Sequence, residues 1–195
     1  MPERIPASLL AALADLMKWF DAASVPSMII GGVAASILGR ARLTRDIDAL
    51  ALIPQAEWPN ALSLAASYGI VARIDDALDF ARRSRMLLLR HSASDIDIDV
   101  ALGGLSFELQ ALNLSQVHEV GGVPLRLPRV EDLLVMKAFA RRPKDLEDIE
   151  GLLSVHPRVD LGFVRQWLRE FSAAVAMPDL LDDFEKVVAR RPSSP

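Results

Sequence analysis

The stretch Ser27–Leu52, SMIIGGVAASILGRARLTRDIDALAL, restricts the fold of this chain more than any other. Its apolar start, Met28-Ile29-Ile30, reads as a strand and is broken by Gly31-Gly32. Val33 to Leu38 is compatible with a short helix, and Gly39 is placed to cap it. An arginine-rich loop leads into Arg42-Leu43-Thr44-Arg45-Asp46-Ile47-Asp48, where polar and apolar residues begin to alternate. On a strand, Asp46 and Asp48 would share one face, roughly 6.5–7 Å apart along the chain. Two carboxylates held side by side repel unless a cation lies between them, and hard divalent ions with oxygen ligands suit that place. Paired glycines at a helix start also leave backbone N–H groups free to approach an anion. Together these residues predict a metal–nucleotide site. The plainer alternative is a tight strand-to-helix turn followed by a solvated strand face.

Ile30-Gly31-Gly32, thirteen residues, then Asp46-Ile47-Asp48 resembles the signature of the DNA polymerase β nucleotidyltransferase superfamily. The form Arg42-x-Thr44-x-Asp46-Ile47-Asp48 is closest to its AbiEii-like branch, which includes toxins of toxin–antitoxin pairs. The glycines alone would say little, since the run is neither G-x-G-x-x-G nor a phosphate-binding loop ending in Gly-Lys-Ser/Thr. The resemblance implies an α+β fold with a mixed sheet: a polymerase β-like core, flanking helices and a C-terminal helical extension. The expected division is a catalytic core over 1–127, a helical part over 128–189, and a disordered tail over 190–195.

Elsewhere the pattern is easier to read. Leu9, Leu10, Leu13, Leu16, Met17 and Phe20 recur at helical spacing and predict a first helix packed on the sheet. Helices are also expected over 57–68, with Pro59 in its first turn and Gly69 as its stop, and over 75–83. A strand is expected over 85–91. Ser94 to Leu102 alternates strictly, placing Asp95, Asp97 and Asp99 on one strand face and Ile96, Ile98 and Val100 on the other. Three like charges in a row call for a counter-ion, or for a solvated edge strand protected from aggregation. Gly103-Gly104 reads as a turn. Val117–Val120 and Val123–Leu127 read as a hairpin joined by Gly121-Gly122, with Pro124 marking an edge strand. Amphipathic helices follow over 130–140, from Arg141 onward, and over 160–174 and 178–189.

The resemblance extends into those helices. Glu131-Asp132-Leu133 followed by Lys137, and then Arg141-x-x-Lys144-Asp145-x-x-Asp148-Ile149, is similar to the AbiEii-like pattern. It implies that Lys137 lies near the nucleotide phosphates, whereas an isolated reading makes it a snorkelling surface lysine. Asp145 and Asp148 share a helix face and read as structural partners of Arg141 and Lys144. The implied chemistry is transfer of a nucleoside monophosphate from a nucleoside triphosphate to a hydroxyl, with loss of pyrophosphate. Asp46 and Asp48 would hold two Mg²⁺ ions, and Asp99 or Asp97 would supply the third carboxylate. Gly31, Gly32, Arg42, Thr44 and Arg45 would bind the triphosphate. The acceptor implied is an RNA or tRNA end, or a protein hydroxyl, with an antitoxin as partner. A small-molecule transferase acting on antibiotics and a catalytically silent nucleotide-binding or protein-interaction module are the alternatives. Arg82, Arg83, Arg85 and Arg90 would form a track for RNA phosphates.

Composition narrows this further. The hydrophobic share of 51% in 195 residues supports a sizeable core, and the formal charge of −4 gives no whole-molecule attraction to nucleic acid. Cysteine is absent, which excludes disulfides and thiolate metal sites. His91, His118 and His156 show no metal-ligand spacing. Asp15, Lys18 and Asp21 interrupt anything like a signal peptide, and Pro26 and the glycines break the longest uncharged stretch. A cytoplasmic protein with no membrane segment is expected.

Overall fold

Leu9, Leu13, Leu16 and Phe20 form one buried stripe, so the chain starts with helix α1 (Ala7–Ala22) lying against the core. A computed structural model describes residues 5–190. Strand β1 (Ser27–Ile30) runs directly into α2 (Gly31–Leu38), and β2 (Asp46–Ala51) returns beside it. A 3-10 turn (Gln55–Glu57) leads to α3 (Trp58–Ala66), β3 (Ile70–Ala72), α4 (Ala77–Ser84), β4 (Met86–His91) and β5 (Ile96–Leu102). Helix α5 (Ser106–Asn113) then precedes the hairpin β6 (Gln116–Val120) and β7 (Val123–Leu127). The chain ends in helices α6 (Val130–Ala140), α7 (Pro143–Val155), α8 (Leu161–Ala174) and α9 (Leu180–Ala189).

The main sheet has the order β1-β2-β5-β4-β3, and only β2 and β5 are parallel. Alternation sets its two faces. Ile47, Ala49 and Ala51 of β2 and Ile98, Val100 and Leu102 of β5 are buried in the main core with α1 and α3. Their neighbours Asp46, Asp48, Asp97 and Asp99 face the other way. That core continues through Leu133, Leu134, Ile149, Leu168 and Phe184 of the C-terminal helices. Phe107 of α5 makes edge contacts with Trp167 and Phe171 of α8, at 5.1 and 5.4 Å between ring centroids. The fold is the mixed α/β arrangement expected. No described helix is long and apolar enough to cross a membrane.

Several local expectations need correction. Asp95 is not on the strand face: it sits in the turn between β4 and β5 with φ +56°, its N–H donating to the His91 carbonyl. The turn consumes the residue that strict alternation assigned to the strand. Gly39 ends α2, but with φ −120° and ψ −131° rather than in a left-handed conformation. Its reason is packing, since a Cβ there would lie 2.9 Å from the Ala35 carbonyl oxygen and 3.2 Å from the Leu152 amide. Strand β3 and helix α5 were not anticipated; β3 has three residues and one buried side chain, and α5 starts two residues after Gly103-Gly104, which form irregular chain and not the turn expected, with a bend only at Leu105. Gly121 (φ +58°) and Gly122 (φ +86°) make the hairpin turn as read. The tail expected to be disordered lies outside the described residues except for Arg190, whose amide donates to the Val187 carbonyl at the end of α9.

Candidate active site

Register assembles the carboxylates. On parallel β2 and β5, Asp46 stands opposite Asp97 and Asp48 opposite Asp99, so the four side chains form a two-by-two block on the open face of the sheet. On the other flank Ile30 of β1 is opposite Asp48, which brings the next residue, Gly31, over the Asp48 carboxylate. Gly31 has φ +63°, and a Cβ there would lie 2.5 Å from Asp48 Cγ and closer still to Oδ2. Backbone conformation and space both demand glycine at that position. The second glycine differs: Gly32 has no positive φ, and a Cβ would meet Thr44 Oγ1 at 2.7 Å and Arg42 Nη2 at 3.1 Å. Its N–H, at the start of α2, lies near the Asp48 carboxylate and draws its pKa down.

Burial, and then the neighbouring Asp46, push the Asp48 carboxyl above the usual aspartate range, against the pull of the Gly32 N–H, Lys137 and Arg142. Asp99 is raised as well, mainly by burial and with Asp48 and Asp46 contributing, although Arg73 opposes the shift. Asp97 behaves oppositely: despite burial, hydrogen bonds from Arg73 and Arg90 hold it low. Arg73 reaches from the end of β3 and clamps both carboxylates, with Nη1 2.5 Å from Asp97 Oδ2 and Nη2 2.5 Å from Asp99 Oδ1. Arg90 Nε donates to Asp97 Oδ1 at 2.8 Å. Asp46 accepts from Thr44 Oγ1 at 3.1 Å and lies 4.0 Å from Lys144 Nζ.

Behind this block lies a buried charge network. Lys137 is 2% exposed, with Nζ 3.0 Å from Asp145 Oδ1 and 2.7 Å from Asp148 Oδ2. Arg42 grips Asp148 with two bonds, from Nε at 2.6 Å and Nη2 at 2.9 Å. Arg142 Nε donates to Asp145 Oδ2 at 2.6 Å. Burial would raise Asp145 and Asp148, but hydrogen bonds from these cations outweigh it and hold both low. The three cations outnumber the two carboxylates, and both Lys137 and Arg142 pull on Asp48.

The sequence-predicted residues therefore separate into groups. The structure brings together Asp46, Asp48, Asp97, Asp99, Gly31, Gly32 and Thr44. Lys137 and Arg42 are near but bound to Asp145 and Asp148, so neither offers its charge to a phosphate in this conformation. Arg45 is exposed and has no hydrogen-bond or ion-pair partner among the described residues. Asp145 and Asp148 are structural, with Lys137, Arg42 and Arg142 as partners; the expected partners go elsewhere, Arg141 to Asp183 and Lys144 to Asp46. Each of the four arginines read as a phosphate track or a solvated cluster has a partner within the protein. Arg82 pairs with Asp79, Arg83 with Asp76 and Arg90 with Asp97, while Arg85 donates to the Leu102 and Gly103 carbonyls. His91 is a buried structural residue between Ser94 and Asp15. Arg73 and Arg142 were missed. Nothing local marks Arg73, whereas Arg142 lies in the Arg141–Ile149 motif.

Among the described residues no group of three acidic or histidine side chains is set to hold a metal ion. Arg73 holds Asp99 from the other side. The donor set nevertheless fits a hard dication: all oxygen, clustered, and with Asp48 and Asp99 both disfavoured as bare anions.

The solved structures that resemble this chain share one class of fold. The antibiotic-resistance factor ANT(2'')-Ia in solution superposes with a TM-score of 0.61 at 14% identity, covering 89% of this chain and 97% of that one. The lincosamide antibiotic adenylyltransferase LnuA, lincomycin-bound, gives 0.51 at 14% identity, over 78% of this chain and 99% of that one. ANT(2'')-Ia in complex with adenylyl-2''-tobramycin gives 0.51 at 15% identity, over 92% and 98%. At such identities the likeness concerns fold: that of nucleotidyltransferases. No curated protein matches the chain in sequence. The chain belongs to the family described as nucleotidyl transferase of unknown function, DUF2204, which matches residues 9–180. It is a nucleotidyltransferase.

Proposed function

We propose that this nucleotidyltransferase is metal-dependent and transfers a nucleoside monophosphate from a nucleoside triphosphate to a hydroxyl. The observation that carries the reading is the pair Asp48 and Asp99, abreast on adjacent strands, both disfavoured as anions by burial and by neighbouring carboxylates. Such a pair creates a demand for positive charge at one point of the surface. Mg²⁺, held by Asp46 and Asp48 with Asp99 as third carboxylate, would supply that charge and neutralise the triphosphate. Asp99 is preferred to Asp97 because Asp97 carries two arginines and is the less available donor.

The chain's own groups divide the remaining work. The acceptor oxygen forms a bond to the α-phosphorus as the bond to the β-bridging oxygen breaks and pyrophosphate leaves. The hydroxyl proton would pass to Asp99, a carboxylate abreast of Asp48 on the adjacent strand. Arg45 and Lys144 are the cations free or nearly free to meet triphosphate oxygens. Thr44 orients Asp46, and Gly31 lets β1 close on Asp48 without a side chain between them. Lys137 and Arg42 act through Asp145 and Asp148, fixing the 42–46 loop against α7.

For the acceptor, a small-molecule hydroxyl is favoured by the pairing of Arg82, Arg83, Arg85 and Arg90 within the protein, which leaves no ready arginine track for RNA. Two of the enzymes sharing the fold are described with lincomycin and with adenylyl-2''-tobramycin. An RNA end or a protein hydroxyl, as in an AbiEii-like toxin held in check by an antitoxin, is the second reading; the Arg141–Ile149 motif favours it. One experiment separates them. The protein is incubated with each α-labelled triphosphate, Mg²⁺, and in turn total RNA, cell protein, or a panel of aminoglycosides and lincosamides. Retained label in one fraction, lost with Asp99→Asn but not with Asp95→Asn, supports the site and names the acceptor class. Equal loss at Asp95 would overturn the assignment of Asp99.

A further inference from the structure

Arg73 is the residue that neither the family motif nor the chemistry above accounts for. It lies one residue beyond β3, the edge strand, and its amide donates to the Leu88 carbonyl of β4 at 2.9 Å. Leu88 is the register partner of Asp99. The backbone thus delivers the guanidinium to the side of Asp99 away from Asp48. There its two terminal nitrogens are divided between Asp97 and Asp99, each at 2.5 Å. The side chain is 21% exposed, so the pairs are sheltered but not sealed. A planar fork with two donors is suited to spanning two carboxylates, which a lysine ammonium at the same position would do less well.

We propose that Arg73 is a positioning residue that guards the third carboxylate: it competes with the divalent cation for Asp99 and yields it only when the cation arrives with the triphosphate. The idea rests on the reading of Asp99 as a metal ligand. Asp99 has one face toward Asp48 and one toward Arg73, and an anion fully committed to a guanidinium is a poor cation ligand. When Asp99 turns to the cation, Arg73 keeps Asp97 as its anchor, so the guanidinium stays beside the site. Arg90 provides an internal control. It carries the same charge and also pairs with Asp97, but its other partner is Asp95 in the turn and not Asp99.

The test is binding of Mn²⁺, measured by electron paramagnetic resonance of the free ion, with and without a non-hydrolysable triphosphate. Proteins compared are wild type, Arg73→Met, Arg73→Lys, Arg90→Met, Asp99→Asn and the Arg73→Met/Asp99→Asn double variant, each checked by circular dichroism. Without nucleotide, Arg73→Met is expected to bind Mn²⁺ about tenfold more tightly than wild type, on the scale of one released ion pair. Arg73→Lys should fall between them, and Arg90→Met should gain less than about threefold, the effect of charge alone. The gain should shrink to the effect of charge alone, less than about threefold, in the Asp99→Asn background, where Arg73→Met has no third carboxylate to release. Equal gains for Arg73→Met and Arg90→Met would reduce Arg73 to one more positive charge and overturn the proposal. So would a gain of about tenfold in the double variant. If Arg73→Met fails to fold, Arg73→Lys carries the same comparison. Failure of the parent reading looks different: wild type would then bind no Mn²⁺ even with nucleotide, or Asp46→Asn and Asp48→Asn would leave that binding intact.

Discussion

Gly31→Ala is the substitution that probes the site most directly. At φ +63° an alanine costs about 1–2 kcal/mol in backbone strain alone. Its methyl group would overlap the Asp48 carboxylate, so that side chain must turn away and lose the influence of the Gly32 N–H on its charge. A hydrogen bond to a charged group is worth about 1.5–3 kcal/mol. The combined loss is roughly 2.5–5 kcal/mol, which in a chain of this size lowers the melting temperature by roughly 5–20 °C. Gly32→Ala is the matched control, because its φ is not positive and the atoms nearest its Cβ belong to the side chains of Thr44 and Arg42 rather than to Asp48. Its cost should stay near 1 kcal/mol. Thermal melts of both variants, with triphosphate binding measured on the folded protein, check the ranking. Gly31→Ala should be the less stable and should also bind metal–triphosphate less well, since Asp48 has moved. A Gly31→Ala protein melting within about 2 °C of wild type would refute the argument, and so would Gly32→Ala proving the more harmful.

Three further outcomes are expected. Asp46→Asn and Asp48→Asn should fold and lose transfer by at least about 10²–10³-fold, the scale of removing a preorganised electrostatic contact, as read by label transfer at saturating Mg²⁺. Lys137→Met should cost about 3–5 kcal/mol by leaving Asp145 and Asp148 short of a buried cation, a loss that urea denaturation would register. The third concerns pH: because the folded state raises the Asp48 carboxyl, folding binds more protons there than the unfolded chain, and this contribution to stability falls as pH rises from the ordinary aspartate range through the raised value. In metal-free buffer Asp48→Asn should therefore melt higher than wild type at pH 7 and lose that advantage as pH drops toward the ordinary aspartate range; an unchanged difference across the range would contradict the burial argument.

What the sequence disclosed and what it withheld follow from the range of the interactions. Asp46 and Asp48 were readable because alternation along one strand fixes a face within three residues. The pairing of Asp48 with Asp99 was not, because it depends on a parallel register between strands separated by a 3-10 turn, two helices and two more strands. Asp95 was misplaced for a similar reason. Its alternation is perfect, but the β4–β5 turn needs a left-handed residue and takes it from the run. Arg73 carried no signal at all, since its role comes from β3 being the far edge of the sheet while its side chain reaches back to β5. Lys137, Arg42, Asp145 and Asp148 were each visible in a motif, yet charged residues at helical spacing read as surface until α6 and α7 are brought together.

That last misreading bears on how the site works. The buried network has more cations than anions, and it sits behind a carboxylate block already facing Arg73, Arg90 and Lys144. The local charges are thus close to balanced before any substrate arrives. On the proposed reading a free dication would gain little from entering a balanced site, because Asp99 must first be released by Arg73. A dication carried on a triphosphate brings its own counter-charge, and the displaced cations then have phosphate oxygens to meet. The same reasoning explains why Arg42 is held rigidly on Asp148 whereas Arg45, three residues later and one before Asp46, is left free. The first fixes the loop that carries Thr44 and Asp46, and the second remains available to an incoming anion.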